Sequence, residues 1–465
     1  MWAFVDSVRQ DQPLLPKLCH LKLAVLVDSA AAYLRLLSPS LRHLKIAFLP
    51  SRDFALVGAL TSLIASKLPR LQTLCVDSGL RAVPARYLTA LSRLHQLQTL
   101  DLEASGVSLP FSVLKVILQK TTLRALYALI IMDHMGEEDL DFGDSLLELQ
   151  DISLNGCAQD LVRFFAHARL PNLSEFRVVM NGTPTELSIS NALSSICGDL
   201  PRTLTSFCFY FNEPQIERSP PLSSAELFQP MLAFQDLTNI DIEFDAPTVS
   251  LSDQDAETFA AAFPNLDSFR LFSSFRGADQ HEVSQQTIAA LVSFAKHCPA
   301  LRVLNFASLD VRTCPSPQSI PAVGHASLKY LTFSRLLGGG SANLLDLAVI
   351  VDRLFPNIDT PRSATVRAIV GSRDAALETD GWGGPLAVPG RLAFRESRRD
   401  ETLDSEASRM LRFFLGAVQR GRKPVDDGCY PRGDSDTSEF PVPDEGLVEV
   451  SGHVLALPTN ELTCG

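Results

Sequence analysis

The chain holds no CxxC pair, although nine cysteines are spread from Cys19 to Cys464. Several, such as Cys75 and Cys208, occupy apolar strand-like positions, so buried free thiols in a reducing compartment are expected. Basic charge is also scarce. Lys and Arg number 41 against 53 Asp and Glu, for a net charge of -12, which argues against nucleic acid as a partner, since phosphate binding needs clustered Lys and Arg. The deficit is greatest from Pro424 to Gly465, where nine acidic residues face only Arg432, a net of -8. Long apolar runs are missing too. The longest, LRALYALIIM from Leu123 to Met132, is about half of what a bilayer span requires, so no membrane partner is expected. The opening MWAFVDSVRQDQ lacks a basic segment followed by an apolar one, and no signal peptide is read there. A cytoplasmic or nuclear location is the expectation.

Catalytic signatures are absent as well: GxSxG, GxxxxGK[ST], HExxH and a helix-opening GxGxxG do not occur. The triple glycine Gly338 to Gly340 lacks the lysine of a phosphate cradle and reads as a loop or helix start. His134, Glu137, Glu138 and Asp139 form a polar cluster without a metal-site framework. In the acidic tail, Asp434, Asp436, Ser438 and Glu445 fall at calcium-loop positions, but Glu439 stands where glycine is required. No enzyme activity, cofactor or metal is expected.

What is present is a repeat. The phrase L-x-x-L-x-L, with I, V or F allowed, begins at Leu18, Leu41, Leu71 and Leu97 and, more weakly, at Leu123. It returns at Leu149, Leu173, Leu204, Leu237, Leu266, Leu301 and Leu328. A thirteenth copy around Ile358 starts the pattern and loses it at Pro361. Successive copies lie about 23 to 35 residues apart, about 28 on average. The x-L-x-L part alternates with period two, as a short strand with one buried face does. A proline two residues before the phrase (Pro16, Pro39, Pro69, Pro171, Pro264, Pro299) separates each strand from the preceding helix. Between strands, amphipathic helices are predicted from Ala85, Phe111, Gln159, Ala256, Gln286 and Ala342. Strand, loop, helix and loop in this period predict an α/β leucine-rich-repeat solenoid of 12 to 13 irregular repeats, with a curved parallel sheet inside and helices outside. The Asn or Cys site after the strand is filled plainly only by Cys157, so a continuous Asn ladder is not expected.

These LPxLxxLxL phrases, their low regularity and the proline-rich insertions ERSPPLSS and CPSPQSIP resemble the leucine-rich region of fungal F-box proteins of the basidiomycete type. The resemblance covers residues 14 to 360. It implies a repeat arc that holds a protein substrate while an F-box docks on a Skp/cullin ubiquitin ligase. The F-box itself, with its LPxE[IL]-like opening, is missing from the fourteen residues before Leu15, so the ligase link requires an F-box upstream. The alternative is a stand-alone repeat scaffold or enzyme inhibitor.

A partner would touch residues that alternate with the buried strand positions. On the concave face these include Lys22 and Lys45, then Asp101 and Glu103, and further along Arg177, Tyr210, Asp241, Glu243, Arg270 and Phe272. Arg and aromatic residues are the usual interface anchors. The reading divides the chain into a lead-in (1–13), the solenoid (14–360), a capping region (361–423) and an acidic tail expected to be disordered (424–465). The cap contains an amphipathic helix, SEASRMLRFFLGAVQ from Ser405.

Overall fold

A computed structural model describes residues 15–25, 36–48, 54–78, 85–119, 122–131, 141–182, 186–212, 222–244, 249–273, 286–338, 341–359, 411 and 413–419. They fall into two compact units, one within Met1–Leu129 and one within Ile130–Thr437.

The N-terminal unit contains strands β1 (His20–Val25), β2 (His43–Phe48), β3 (Thr73–Ser78), β4 (Thr99–Asp101) and the short β5 (Ser108–Pro110). Strand β6 (Ala125–Ile131) lies at the division. Strands β1, β2, β3, β4 and β6 pair in parallel and without slippage: Leu21, Leu44, Leu74, Leu100 and Leu126 stand in one row. The C-terminal unit continues with β7 (Asp151–Cys157), β8 (Glu175–Asn181) and β9 (Ser206–Asn212). After the two-residue β10 (Leu222–Ser223) come β11 (Asn239–Phe244) and the two-residue β12 (Val249–Ser250). Strands β13 (Ser268–Ser273), β14 (Val303–Asp310) and β15 (Tyr330–Leu337) complete it. From β7 to β15 the long strands again pair in parallel, with Ile152, Phe176, Phe207, Ile240, Phe269, Leu304 and Leu331 in one row.

The phrase has a clear mechanical basis. Its first leucine donates its N–H three residues back and closes a turn: Leu71 to Leu68, Leu173 to Leu170, Leu266 to Phe263, Leu301 to Cys298. Proline stands at the second position of these turns (Pro69, Pro171, Pro264, Pro299), where its fixed φ favours the turn and its missing N–H costs nothing. The next carbonyl then accepts two consecutive N–H groups from the following repeat. Thr205 O takes Thr238 and Asn239, Thr238 O takes Asp267 and Ser268, and Asp267 O takes Arg302 and Val303. The same fork recurs at carbonyls from Cys19 to Arg302, so it sets the register before the strands begin. Repeated parallel strands with this turn and α-helices between them form a leucine-rich-repeat α/β solenoid.

Helices Phe111–Leu118, Ala158–His167, Ile288–His297 and Ser341–Leu354 lie where periodicity predicts them. Three differences stand out. The segment from Ala85 is a 3-10 helix, Ala85–Arg93. Its rise of about 2.0 Å per residue, against about 1.5 Å for an α-helix, lets a short connection span from strand to strand. Helices Phe54–Lys67 and Glu186–Asp199 were not foreseen, because Ser, Thr and Gly interrupt their apolar period. The helix expected from Ala256 begins at Asp253, where Ser252 and Asp255 form a capping box. This helix also ties its neighbours. Asp255 Oδ1 accepts from Ser223 Oγ at 2.7 Å, while both Asp253 oxygens accept from Thr287, the cap of the next helix, at 2.7 Å.

The core changes character between the units. Leucine dominates the N-terminal rows, whereas a chain of edge-on, tilted and stacked rings runs through the C-terminal unit. It links Phe142, Phe164, Phe165, Phe176 and Phe207, and separately Phe259, Phe269, Phe294, Phe306 and Phe333. These rings come from both strands and helices, which places the helices on the sheet face that carries the buried strand residues. At the Asn/Cys site, Cys157 Sγ caps helix Ala158–His167 by accepting from Asp160 N. Gly338 has φ +79°, and a Cβ there would stand 2.8 Å from the Arg312 backbone. The first glycine of the triplet therefore serves a close backbone approach. Leu411 and Leu415 of the expected capping helix are buried, Phe413 is exposed, and Gln419 Nε2 donates to Ile358 O at 3.2 Å. The rest of the capping region, the acidic tail and the His134–Asp139 cluster lie outside the described residues.

Candidate functional site

On the sheet face opposite the helices, the outward residues of the C-terminal unit fall in one register row: Arg177, Cys208, Asp241, Arg270, Asn305 and Thr332. Two positions further along the strands, Tyr210, Glu243 and Phe272 form a second row. Parallel pairing sets neighbours in each row about 4.8 Å apart at the backbone, so six of the ten predicted contact residues are brought together here.

The two rows are wired to each other. The Tyr210 hydroxyl donates to Asp241 Oδ2 at 3.1 Å and accepts from Arg177 Nη2 at 3.4 Å. The Arg177 guanidinium also lies over the Tyr210 ring, 5.1 Å from its centroid. Arg270 Nη1 approaches the same Oδ2 at 3.9 Å. Tyr210, expected at the surface, is buried instead, because Arg177 covers its ring and leaves the hydroxyl pointing along the row. Phe272 is half-buried, and Glu243, between Tyr210 and Phe272, is engaged as well.

The electrostatics are unusual for a surface. Burial pushes the Asp241 carboxyl above its ordinary value, against the opposing pull of Arg270, Tyr210 and Arg177. Burial and then Asp241 also push Tyr210 upward, and the same two causes raise Cys208 to about 11. Each of these groups is therefore driven away from a reactive anion. The site has two further acceptors. Asp241 Oδ1 and Asn305 Oδ1, on either side of Arg270, are buried without a hydrogen-bond partner among the described residues. Such atoms cost free energy until a donor reaches them.

In the N-terminal unit, Lys22, Lys45, Cys75, Asp101 and Tyr127 form the corresponding row. Lys22 and Lys45 are exposed. Asp101 is occupied within the chain: Cys75 Sγ donates to Oδ2 at 3.1 Å and the Glu103 N–H to Oδ1 at 3.2 Å. Burial and Asp101 raise Cys75 to about 12. Asp101 thus fixes the turn Glu103–Ser105, and the expected acidic patch is partly a structural device. The sequence reading passed over Asn305 as an anchor. His20 and His43, which the sequence groups with Lys22 and Lys45 as a basic patch of the first two phrases, stack on each other.

The described cysteines are free, and no group of three or more His, Cys, Asp or Glu among the described residues could hold a metal. No described helix is long and apolar enough to cross a membrane.

No protein-family model and no curated protein matches the chain. Among solved structures, the crystal structure of the Rad7 and Elc1 complex in yeast is similar at 12% identity and a TM-score of 0.35. That match covers 70% of this chain and 77% of the other. A Bacteroides fragilis protein solved by a structural genomics consortium is similar at 12% identity and a TM-score of 0.30, covering 74% of each chain. Likenesses this faint carry no argument, and the fold rests on the strand register and turns described above.

Proposed function

We propose that the protein is a non-catalytic leucine-rich-repeat module that binds another protein across the helix-free face of its C-terminal unit. Arg177, Tyr210, Asp241 and Arg270 would be the anchors. The observation that carries this reading is the cross-strand network that joins Arg177, Tyr210, Asp241 and Arg270 on the face opposite the helices. A partner carboxylate would meet the Arg270 guanidinium, whose side chain is 41% exposed, on a surface that is already ordered.

In the terms of the F-box resemblance, this face would hold the substrate of a ubiquitin ligase, reached through a Skp-type adaptor if an F-box lies upstream. The alternative is a scaffold or enzyme inhibitor with no ubiquitin link. Affinity capture from cells separates them: the ligase reading predicts an adaptor and a cullin bound to the form carrying an upstream F-box. Cytoplasm or nucleus is the compartment that suits either.

Asp241→Asn tests the site. Because burial raises the folded-state value above the ordinary 3.8, ionised Asp241 opposes folding. That penalty is absent below the unfolded value and fully present once pH exceeds the folded value. The variant is therefore expected to keep or raise Tm at neutral pH and to flatten the loss of stability as pH rises from about 4. Partner capture should nevertheless fall about tenfold, the equivalent of one charge-assisted hydrogen bond. A lower Tm with unchanged capture would make Asp241 a structural residue.

A further inference from the structure

A second charged face stands in the N-terminal unit. Strands β1 and β2 place like residues opposite one another twice in succession, a pair of histidines and then a pair of lysines. His20 is in register with His43, and Lys22 with Lys45. The two imidazoles stack with centroids 4.2 Å apart and planes within 7°. Exposed Arg42 lies beside His43. His43 Nδ1 lies 3.0 Å from Thr73 Oγ1 on β3, which holds its ring in place. Like-charged side chains directly across adjacent strands destabilise a sheet. For the lysine pair, an added carboxylate beside the two ammonium groups lowers that repulsion.

Spacing narrows the ligand. Residues two apart along a strand are about 6.6 Å apart, and so are alternate side chains of an extended peptide. One carboxylate of such a peptide meets the histidine pair while the next meets the lysine pair. From β3 the face is bordered by Thr73, Cys75 and Asp77, with Asp77 in register with Ala47 beyond the lysines. That carboxylate repels an acidic ligand at the far end and confines it to the His and Lys rows. We propose that this face binds an extended segment of a partner protein carrying Asp or Glu at alternate positions. The site is separate from the row around Asp241 and does not rest on it.

Burial, then His20 and Arg42, hold the His43 imidazole below its ordinary range, so it is largely neutral near pH 7.5. A bound carboxylate favours the protonated ring. Binding therefore takes up a proton, and affinity rises as pH falls.

The test is fluorescence anisotropy of the full chain with a fluorescein-labelled peptide of alternating Asp and Ser. Saturable binding is expected, weakening about tenfold between about 50 mM and about 300 mM salt. It should tighten about threefold from pH ~7.5 to pH ~6. Lys22→Glu with Lys45→Glu should abolish it at unchanged Tm, and His20→Gln with His43→Gln should remove the pH dependence. Asp241→Lys with Arg270→Glu should leave it unaltered, which separates this face from the other. Absence of saturable binding, or indifference to the lysine pair, would overturn the proposal. So would tighter binding after Asp434, Asp436, Glu439, Asp444 and Glu445 are changed to their amides, since the occupant would then be the chain's own acidic segment.

Discussion

Phe269→Ala is expected to destabilise the C-terminal unit by about 4 kcal/mol, a lower urea midpoint at unchanged fold. Phe269 is fully buried at the centre of the ring chain, 4.8 Å from Phe294, 5.8 Å from Phe259 and 6.3 Å from Phe306. Its neighbours come from β14 and from helices on both sides, all fixed by the same turn and fork. They cannot close in without breaking register, so the cavity should persist and the full cost be felt. Phe269→Leu, which fills most of the space, should recover more than half. A loss below about 1.5 kcal/mol for the alanine variant would mean that the rings fill space without holding the repeats together.

Asp255→Ala should cost about 3 kcal/mol, the second-largest effect, through hydrogen bonds rather than ring packing. Its carboxylate is 5% exposed, and its two oxygens serve different repeats: Oδ2 accepts from Ser252 N at 2.9 Å and Oδ1 from Ser223 Oγ at 2.7 Å. Alanine orphans a buried N–H and frees the start of helix Ser224–Leu227 at once. Asp255→Asn keeps one acceptor and should restore about half of the loss. Urea unfolding measures both, and a cost under about 1 kcal/mol would reduce the carboxylate to an ordinary cap.

The contrast between these two residues explains what could be read from the sequence. Phe269 sits at a position of the L-x-x-L-x-L phrase where period two alone assigns it to the core, and Arg270 beside it to the open face. Strand order and register follow from the same local rule, since every repeat closes the same turn. Asp255 obeys no such rule. Its partner Ser223 is 32 residues away, and the bond exists only because stacked repeats bring the two loops together. Tyr210 shows the same limit at the site. Alternation places it outward correctly, but whether it is exposed depends on the Arg177 side chain from the neighbouring strand. The unpartnered Asp241 Oδ1 and Asn305 Oδ1 depend on three-dimensional burial, which no pattern of residue types encodes. The 3-10 conformation of Ala85–Arg93 was hidden for a related reason: its apolar spacing suits either helix, and the connection length decides between them.

The central claim is that the row from Arg177 to Arg270 is a protein-binding surface, and quantitative capture with Asp241→Lys combined with Arg270→Glu tests it most directly. Both side chains lie on the open face, and the exchange reverses the polarity of the pair while keeping opposite charges adjacent. The predicted result is loss of the partners captured by the unaltered chain, with circular dichroism still that of the folded protein. An unaltered set of partners from a folded double variant would contradict the account.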